Sequence, residues 1–387
     1  MPCIEIGDSI VAKGRETLEA AIDLVNETAE WGGRVVYGDT DSLFIVFKGC
    51  SKAEAFRRGR EIAKLVSERN PDPVKLKFEK VYMPCILQTK KRYVGMKFER
   101  EDEVKGEYEA KGIETVRRDG CPIGVKILKQ ALLTLFSSKD LSLVKEFVQH
   151  QFTKMIHGKL SLQDYIFAKE FRGMDGYKPG VCVPALEIAR RRIKKDGRND
   201  PLVSERVQYV VCYGSPGLPL IQLIHEPAEL FTDTSLKLNT IYYITKAVLP
   251  VLQRALGLVG VNVTAWYHQL PLHLRTHTGP RSATSHRTIS HYYSTKHCTI
   301  CDKVSEGLCS CYSNPQKVAV VITQRLNILE NQLSAMRIIC KDCSGLREEG
   351  LSCTSVMCPV LYKKVALTRD HDVSVKLRDQ VDNLYDW

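Results

Sequence analysis

The sequence has no apolar run long enough to span a bilayer and no basic-then-apolar N-terminal stretch of the signal-peptide kind. It also has no internal repeat and no low-complexity tract, so neither a repeat array nor a disordered tail is expected. These absences predict a soluble intracellular protein. Acidic residues are in deficit: 45 Asp and Glu against 56 Lys and Arg leave a formal charge of +11. That imbalance favours an acidic partner, with nucleic acid ahead of an anionic membrane face. Cysteine, by contrast, is plentiful. Of the 14 cysteines, eight fall after position 297, in two close groups. In an intracellular chain that spacing reads as metal or cluster ligation rather than disulfides. With 387 residues and 44% hydrophobic content, the chain can bury a sizeable core in two or three domains.

Hydrophobic periodicity divides the chain. The run "GDSIVAKGRETLEAAIDLVNETAEWG" predicts a helix over about 9–30, capped by Asp8 or Ser9. A hairpin, "RVVYGDTDSLFIVF", follows, then a second amphipathic helix, "SKAEAFRRGREIAKLVSERN", closed by "NPDP". The β-rich runs "VKLKFEKVYMPCILQT" and "KRYVGMKFE" are expected to join the hairpin in one antiparallel sheet. Residues 1–110 thus read as an α+β unit. Residues 111–280 read as mainly helical, with one β-like excursion at "ERVQYVVCYGSPGLPLIQLI". A Ser/Thr-rich linker, 281–296, leads to a Cys-rich module, 297–387. Within it Ile322, Leu326, Leu329, Leu333 and Met336 form a narrow helical seam, suited to a partner helix or to its own module.

Phosphoryl transfer by the two-metal route needs carboxylates that hold a pair of cations, and the hairpin tip carries two acids, Asp39 and Asp41. A D-x-D in a turn is by itself more often structural. Its company changes the balance. "QTKKRYVG" supplies Lys90, Lys91 and Arg92 beside Tyr93, and "KGIETVRRDG" supplies Lys111, Arg117 and Arg118, a pattern suited to a phosphate backbone. The motifs "YGDTDS", "KKRY" and "KGIETVRRD", in this order, resemble the palm and thumb-entry motifs of family B DNA polymerases.

The resemblance is closest to a translesion member of the family and extends over nearly the whole chain. It implies a fold of three parts: an α+β palm remainder with an antiparallel sheet and a catalytic hairpin, a mainly helical thumb, and a small Cys-rich metal-binding C-terminal domain. It implies that Asp41 is a ligand of two catalytic Mg²⁺ ions, with Asp39 close by in a lesser role. Lys91, Arg92 and Tyr93 would meet the primer end, and Lys111, Arg117 and Arg118 would follow the duplex backbone of a primer-template that also takes a dNTP. Glu79 in "LKFEK" is a weaker candidate as a further acid, with a salt-bridged strand residue as the even alternative. A nuclear location and a DNA-repair role follow from the same resemblance. The family's upstream acid motif, D-x-x-S-L-Y-P-S, and its fingers motif, K-x-x-x-N-S-x-Y-G, are absent from these residues. The expectation is a chain that starts just after the fingers and does not polymerise DNA alone.

The second Cys group, Cys340, Cys343, Cys353 and Cys358, supplies two close pairs, and its spacing fits zinc or a [4Fe–4S] cluster equally. The resemblance favours the iron–sulfur cluster and implies that this region docks an accessory polymerase subunit. The first group, Cys298, Cys301, Cys309 and Cys311, is similar to the family's zinc site. Its second pair is unusually tight, so either the loop adapts or His297 replaces Cys309 or Cys311; four cysteines are expected. "HLRTHTGP", with His273 and His277, imitates the end of a zinc finger, yet the nearest preceding cysteine is Cys212, so no such finger is expected. The basic run "ARRRIKKDGR" is read first as a solvated helix end. Set against the enzyme reading is a non-catalytic DNA-binding and subunit-assembly platform.

Overall fold

The computed structural model describes residues 3–178, 180–215, 218–233, 236–271, 296–298, 300, 304–305, 309–344, 353, 355 and 358–384. The chain forms two compact units: residues 1–117 with 132–139, and residues 118–131 with 140–387. Among the described residues no helix is long and apolar enough to cross a membrane.

The first unit opens with helix α1, Ile4–Glu27. It starts earlier than the sequence suggests, and Asp8 and Ser9 lie inside it rather than capping it. The Ser9 hydroxyl donates to the Glu5 carbonyl one turn back, a local bond that a helix interior accepts. Only the second half of α1 is anchored. Ala21 and Val25 are buried with Trp31, Ile62 and Val66, whereas Ile4, Ile6, Ile10 and Val11 are exposed. Strands β1, Gly33–Asp39, and β2, Ser42–Phe47, pair antiparallel, and Val35, Leu43, Ile45 and Phe47 pack on that same core. Helix α2, Lys52–Arg69, begins at a capping box in which Ser51 and Glu54 satisfy each other's backbone N–H. It contributes Ile62 and Val66.

Strands β3, Val81–Thr89, β4, Arg92–Phe98, and β5, Glu107–Lys111, form a separate three-stranded antiparallel meander. The expectation of one sheet is therefore corrected: β1–β2 and β3–β4–β5 share no ladder hydrogen bonds. They meet through side chains instead. Tyr37 and Phe44 of the first hairpin stand against Tyr82 and Tyr93 of the second, with centroid distances of 4.9 Å for Phe44–Tyr93 and 5.8 Å for Phe44–Tyr82. Residues 74–80, expected to extend β3, are not in a strand.

The second unit starts with α3, Pro122–Ser138, which crosses the division, and α4, Leu141–Ile156, whose Val144, Val148, Phe152 and Met155 are fully buried. The β-like excursion expected here holds β7, Arg206–Val211, and the start of β8, Ile224–His225, and it pairs with β6, Phe167–Glu170, from the stretch read as helical, in the order 6-7-8. Helix α5, Pro184–Lys195, packs across them. Three of the six cations of its basic run are engaged within this unit. Arg191 donates to the Ile221 and Ile224 carbonyls, Arg192 pairs with Glu226 at 3.1 Å, and Lys195 pairs with Glu229.

After the short helix α6, Glu229–Thr232, α7, Thr240–Tyr242, runs through a π turn, Tyr243–Val248, into α8, Leu249–Leu256. Pro250 explains that turn: it has no N–H to give the preceding turn, and a wider register accommodates its ring. Tyr243, buried against Tyr165 and Phe167, accepts the Val211 N–H at 3.0 Å. Helix α9, Val263–His268, closes this part, with Gln253 bonding the Val261 carbonyl and the Val263 N–H.

Two short strands, β9, Lys296–His297, and β10, Val304–Ser305, precede a long helical hairpin, α10, Pro315–Ser344, and α11, Pro359–Leu384. Val318, Ile322, Leu326 and Val381 form its core, which resolves the seam in favour of its own module. Leu333 is buried as well, while Leu329 and Met336 are half-buried. Val318 meets the far end of α11, and Glu330 is 3.5 Å from His371, so the helices run antiparallel. Tyr362 at the start of α11 packs edge-on to Phe231, and burial pushes its hydroxyl up to about 12. The expected linker 281–296 lies outside the described residues except for Lys296, as do His273 and His277.

Ile62 joins α2 to α1 and the first hairpin and is 2% exposed. I62A should lower stability by about 2–5 kcal/mol in urea unfolding, since the cavity it leaves is walled by regular structure.

Candidate catalytic and metal sites

The two hairpin tips of the first unit face each other. Strand β1 alternates inner and outer residues, so Val35, Tyr37 and Asp39 share the inner face while Asp41 stands exposed in the turn. Asp39 pairs with Ser42, leaving Thr40 and Asp41 as a two-residue loop with Thr40 at φ 54°. A β-branched residue resists that conformation, and local bonds hold it: the Asp41 N–H and the Ser42 hydroxyl both donate to the Asp39 carbonyl. Thr89 pairs with Arg92 in the second hairpin, so Lys90 and Lys91 form its loop, with Lys91 at φ 60°. Neither loop has the Asn or Gly that ordinarily signals such a turn.

Lys91 connects the tips. Its ammonium lies 2.8 Å from Asp39 Oδ1, and its backbone N–H donates to the Tyr37 hydroxyl at 2.8 Å. The Lys91 bond holds the Asp39 carboxyl below its ordinary 3.8, and Asp39 in turn raises the Lys91 ammonium. The third motif closes on the same turn from behind. Gly112, at φ 66°, leaves no room for a Cβ, which would stand 2.1 Å from the Lys91 carbonyl oxygen. Arg92 pairs with Glu114 of "KGIETV", and Tyr93 pairs in register with Lys111. The three motifs, separated by some 50 and 20 residues in the chain, therefore converge on one turn.

Exposure divides the expected DNA contacts. Lys91 is 71% exposed, and Lys111, Arg117 and Arg118 are exposed too. Arg92 is engaged inside: its side chain is 27% exposed, and its Nε is buried with no hydrogen-bond partner among the described residues. Tyr93 is half-buried in the aromatic cluster. Glu79 is exposed in the approach to β3. The acid used in this sheet is Glu109, which sequence reasoning missed. It accepts from the Tyr82 hydroxyl at 2.6 Å and pairs with Lys80 at 2.9 Å, and burial with this bond drives the Tyr82 hydroxyl far up. Tyr37, Phe44 and Gly112 were also missed as positioning residues, although Tyr37 and Gly112 stand inside the motifs.

Asp39 and Asp41 offer hard carboxylate oxygens on a fixed turn, the donor type that Mg²⁺ requires. In the Cys-rich part, the thiols of Cys298, Cys309 and Cys311 lie within 4.8 Å of one another, a spacing that suits a tetrahedral thiolate site. Cys301 and the His297 side chain lie outside what is described. The second group is different. Cys340, Cys343, Cys353 and Cys358 are all described, yet no three of their thiols gather in this way. Cys340 and Cys343 ride the last turns of α10, and Cys358 immediately precedes α11.

The Asp39–Lys91 pair makes a titration testable. Its contribution is present above the ordinary Asp value of 3.8 and is lost as pH falls through the depressed value of Asp39; it is lost again as pH rises above the Lys range. NMR titration of the Asp39 carboxyl should give a midpoint below 3.8, and K91M should raise it.

Residues 1–259 match the family described as DNA polymerase family B, and residues 298–364 match the C4-type zinc-finger of DNA polymerase delta. The chain is 52% identical to the DNA polymerase zeta catalytic subunit of Homo sapiens, over 99% of this chain and 12% of that protein. It is 36% identical to the zeta catalytic subunit of Saccharomyces cerevisiae, over 100% of the chain and 27% of that protein. Against the DNA polymerase delta catalytic subunit of Schizosaccharomyces pombe, identity is 28%, over 99% and 36% of the two lengths. The chain thus spans about an eighth to a quarter of the zeta subunits it matches. With two thirds of its residues matched by the model of one family, this chain belongs to DNA polymerase family B.

Proposed function

We propose that this chain is the palm remainder, thumb and metal-binding C-terminal part of a translesion DNA polymerase catalytic subunit, acting in nuclear DNA-damage tolerance as part of a longer protein. The observation that carries the reading is the meeting of Asp39, Tyr37 and Lys91 with Gly112 and Glu114 at the facing hairpin tips. It accompanies 52% identity to a zeta catalytic subunit.

In this reading Asp41 and Asp39 hold the Mg²⁺ ions, and the bound ions stabilise charge on the attacking 3′-oxygen and the leaving pyrophosphate. Lys91, the exposed cation between the tips, takes the phosphate of the primer end. Arg92, held by Glu114, keeps the turn oriented, and Tyr93 supports it from the aromatic cluster. Lys111, Arg117 and Arg118 follow the duplex backbone. Cys298, Cys301, Cys309 and Cys311 take Zn²⁺. Cys340, Cys343, Cys353 and Cys358 would hold a [4Fe–4S] cluster, and the C-terminal part would dock an accessory subunit.

The alternative, a non-catalytic DNA-binding and assembly platform, draws on the absence of the family's upstream acid and fingers motifs from these residues. Primer extension separates the two. The purified 387-residue chain should bind primer-template in a salt-dependent way and extend nothing. A longer protein that carries both missing motifs ahead of this sequence should extend primers with Mg²⁺, and D41N should lower its rate about a hundred- to thousandfold or more. Equal extension by wild type and D41N would remove Asp41 from the chemistry. Anaerobic purification should yield iron and sulfide in equal amounts, with a visible chromophore lost in C343S. Zinc alone, with no chromophore, would overturn the iron–sulfur assignment.

A further inference from the structure

The motif "VRRDG" leads into the second unit as a run of exposed residues, Arg118–Gly120, before the buried Cys121 and helix α3. Two cations outside every motif hold its backbone. Lys169 in β6 donates from Nζ to the Asp119 carbonyl. Arg206 in β7 donates from a single nitrogen, Nη1, to the Arg118 carbonyl at 2.7 Å and to the Ala168 carbonyl at 2.9 Å.

The support they stand on is rigid. Lys169 pairs in register with Val207 and shares the face of the buried Phe167, Val207 and Tyr209, while Arg206 pairs with Glu170 on the opposite face. The strand ends are locked by the Phe171 N–H on the Glu205 carbonyl at 2.8 Å and the Ser204 N–H on the Phe171 carbonyl at 2.7 Å.

The choice of residue types points to a purpose. Carbonyl oxygens accept from any donor, so an amide or hydroxyl side chain would suffice to pin the turn. Two cations do the same without neutralising their charge, and neither forms an ion pair with a carboxylate among the described residues. Together with Arg118 they bring three cationic residues to the segment that enters α3, a concentration of positive charge that a polyanion favours.

We infer that Lys169 and Arg206 are positioning residues for duplex binding. They clip the Arg118–Asp119 backbone to the β6–β7 strand pair, so that the Arg118 guanidinium is presented to a DNA phosphate from a fixed base. This rests on the reading of Arg118 as a backbone contact, and the two are separable by experiment.

Duplex primer-template binding to the full 387-residue chain is measured by fluorescence anisotropy across a salt series, for wild type, R118A, K169M/R206M and the triple variant, together with amide hydrogen exchange over 116–121. R118A should weaken binding roughly three- to tenfold near 0.1 M salt and reduce the salt slope by about 1. K169M/R206M should weaken binding by a similar factor and speed exchange over 116–121. In the R118A background the same pair should cost less than about twofold, because it acts through Arg118. R206K, which keeps the charge, should restore part of the protection. Full additivity of R118A with K169M/R206M would overturn the inference, as would unchanged exchange. If R118A changes nothing while exchange still accelerates, the clip stands and the phosphate role of Arg118 falls.

Discussion

The arrangement of the first unit depends on one aromatic contact. Tyr37 and Phe44 on one hairpin, and Tyr82 and Tyr93 on the other, join two sheets that share no ladder hydrogen bonds. Backbone pairing fixes register only within a sheet, so the offset between the two tips is set by side-chain contacts, chiefly these rings. Phe44 touches three of the other rings' owners, and the Tyr37 hydroxyl reaches past the cluster to the Lys91 N–H. The distance from Lys91 to Asp39 follows from that packing rather than from the ion pair. A half-exposed pair of this kind contributes little on its own.

Two of the four non-glycine residues at positive φ among the described residues lie beside this contact. Thr40 and Lys91, both at positive φ without being glycine, sit on the facing loops. Gly112, the one residue there that must lack a Cβ, seals the Lys91 turn from behind. Strained loops persist when surrounding structure over-determines them, and here Ser42, Tyr37, Glu114 and Gly112 do so. The buried Tyr82–Glu109–Lys80 set stiffens the sheet beneath.

The C-terminal part follows a different logic. Its helical hairpin has an apolar core at one end, Val318, Ile322, Leu326 and Val381, where the thiols of Cys298, Cys309 and Cys311 already lie together. At the other end, Ile338 and Ile339 are exposed beside Cys340 and the second thiol group is open. Apolar burial accompanies the first site; among the described residues no comparable core surrounds the second.

The sequence determined the elements whose signal is local. The hairpin around Asp39 and Asp41, the amphipathic helix closed by "NPDP", and the helical seam from Ile322 to Met336 were legible because periodicity and turn breakers act within a few residues. Asp39, Asp41, Lys91 and the cysteine pairs were legible as chemistry because few residue types can hold a cation or a phosphate. The early start of α1 was not, because a helix can begin without a capping side chain, as it does after Cys3. Nor was the separation into two sheets, the inward commitment of Arg92 to Glu114, or the clip formed by Lys169 and Arg206. Each of these is a contact between residues far apart in the chain, and only tertiary packing decides which distant partners meet.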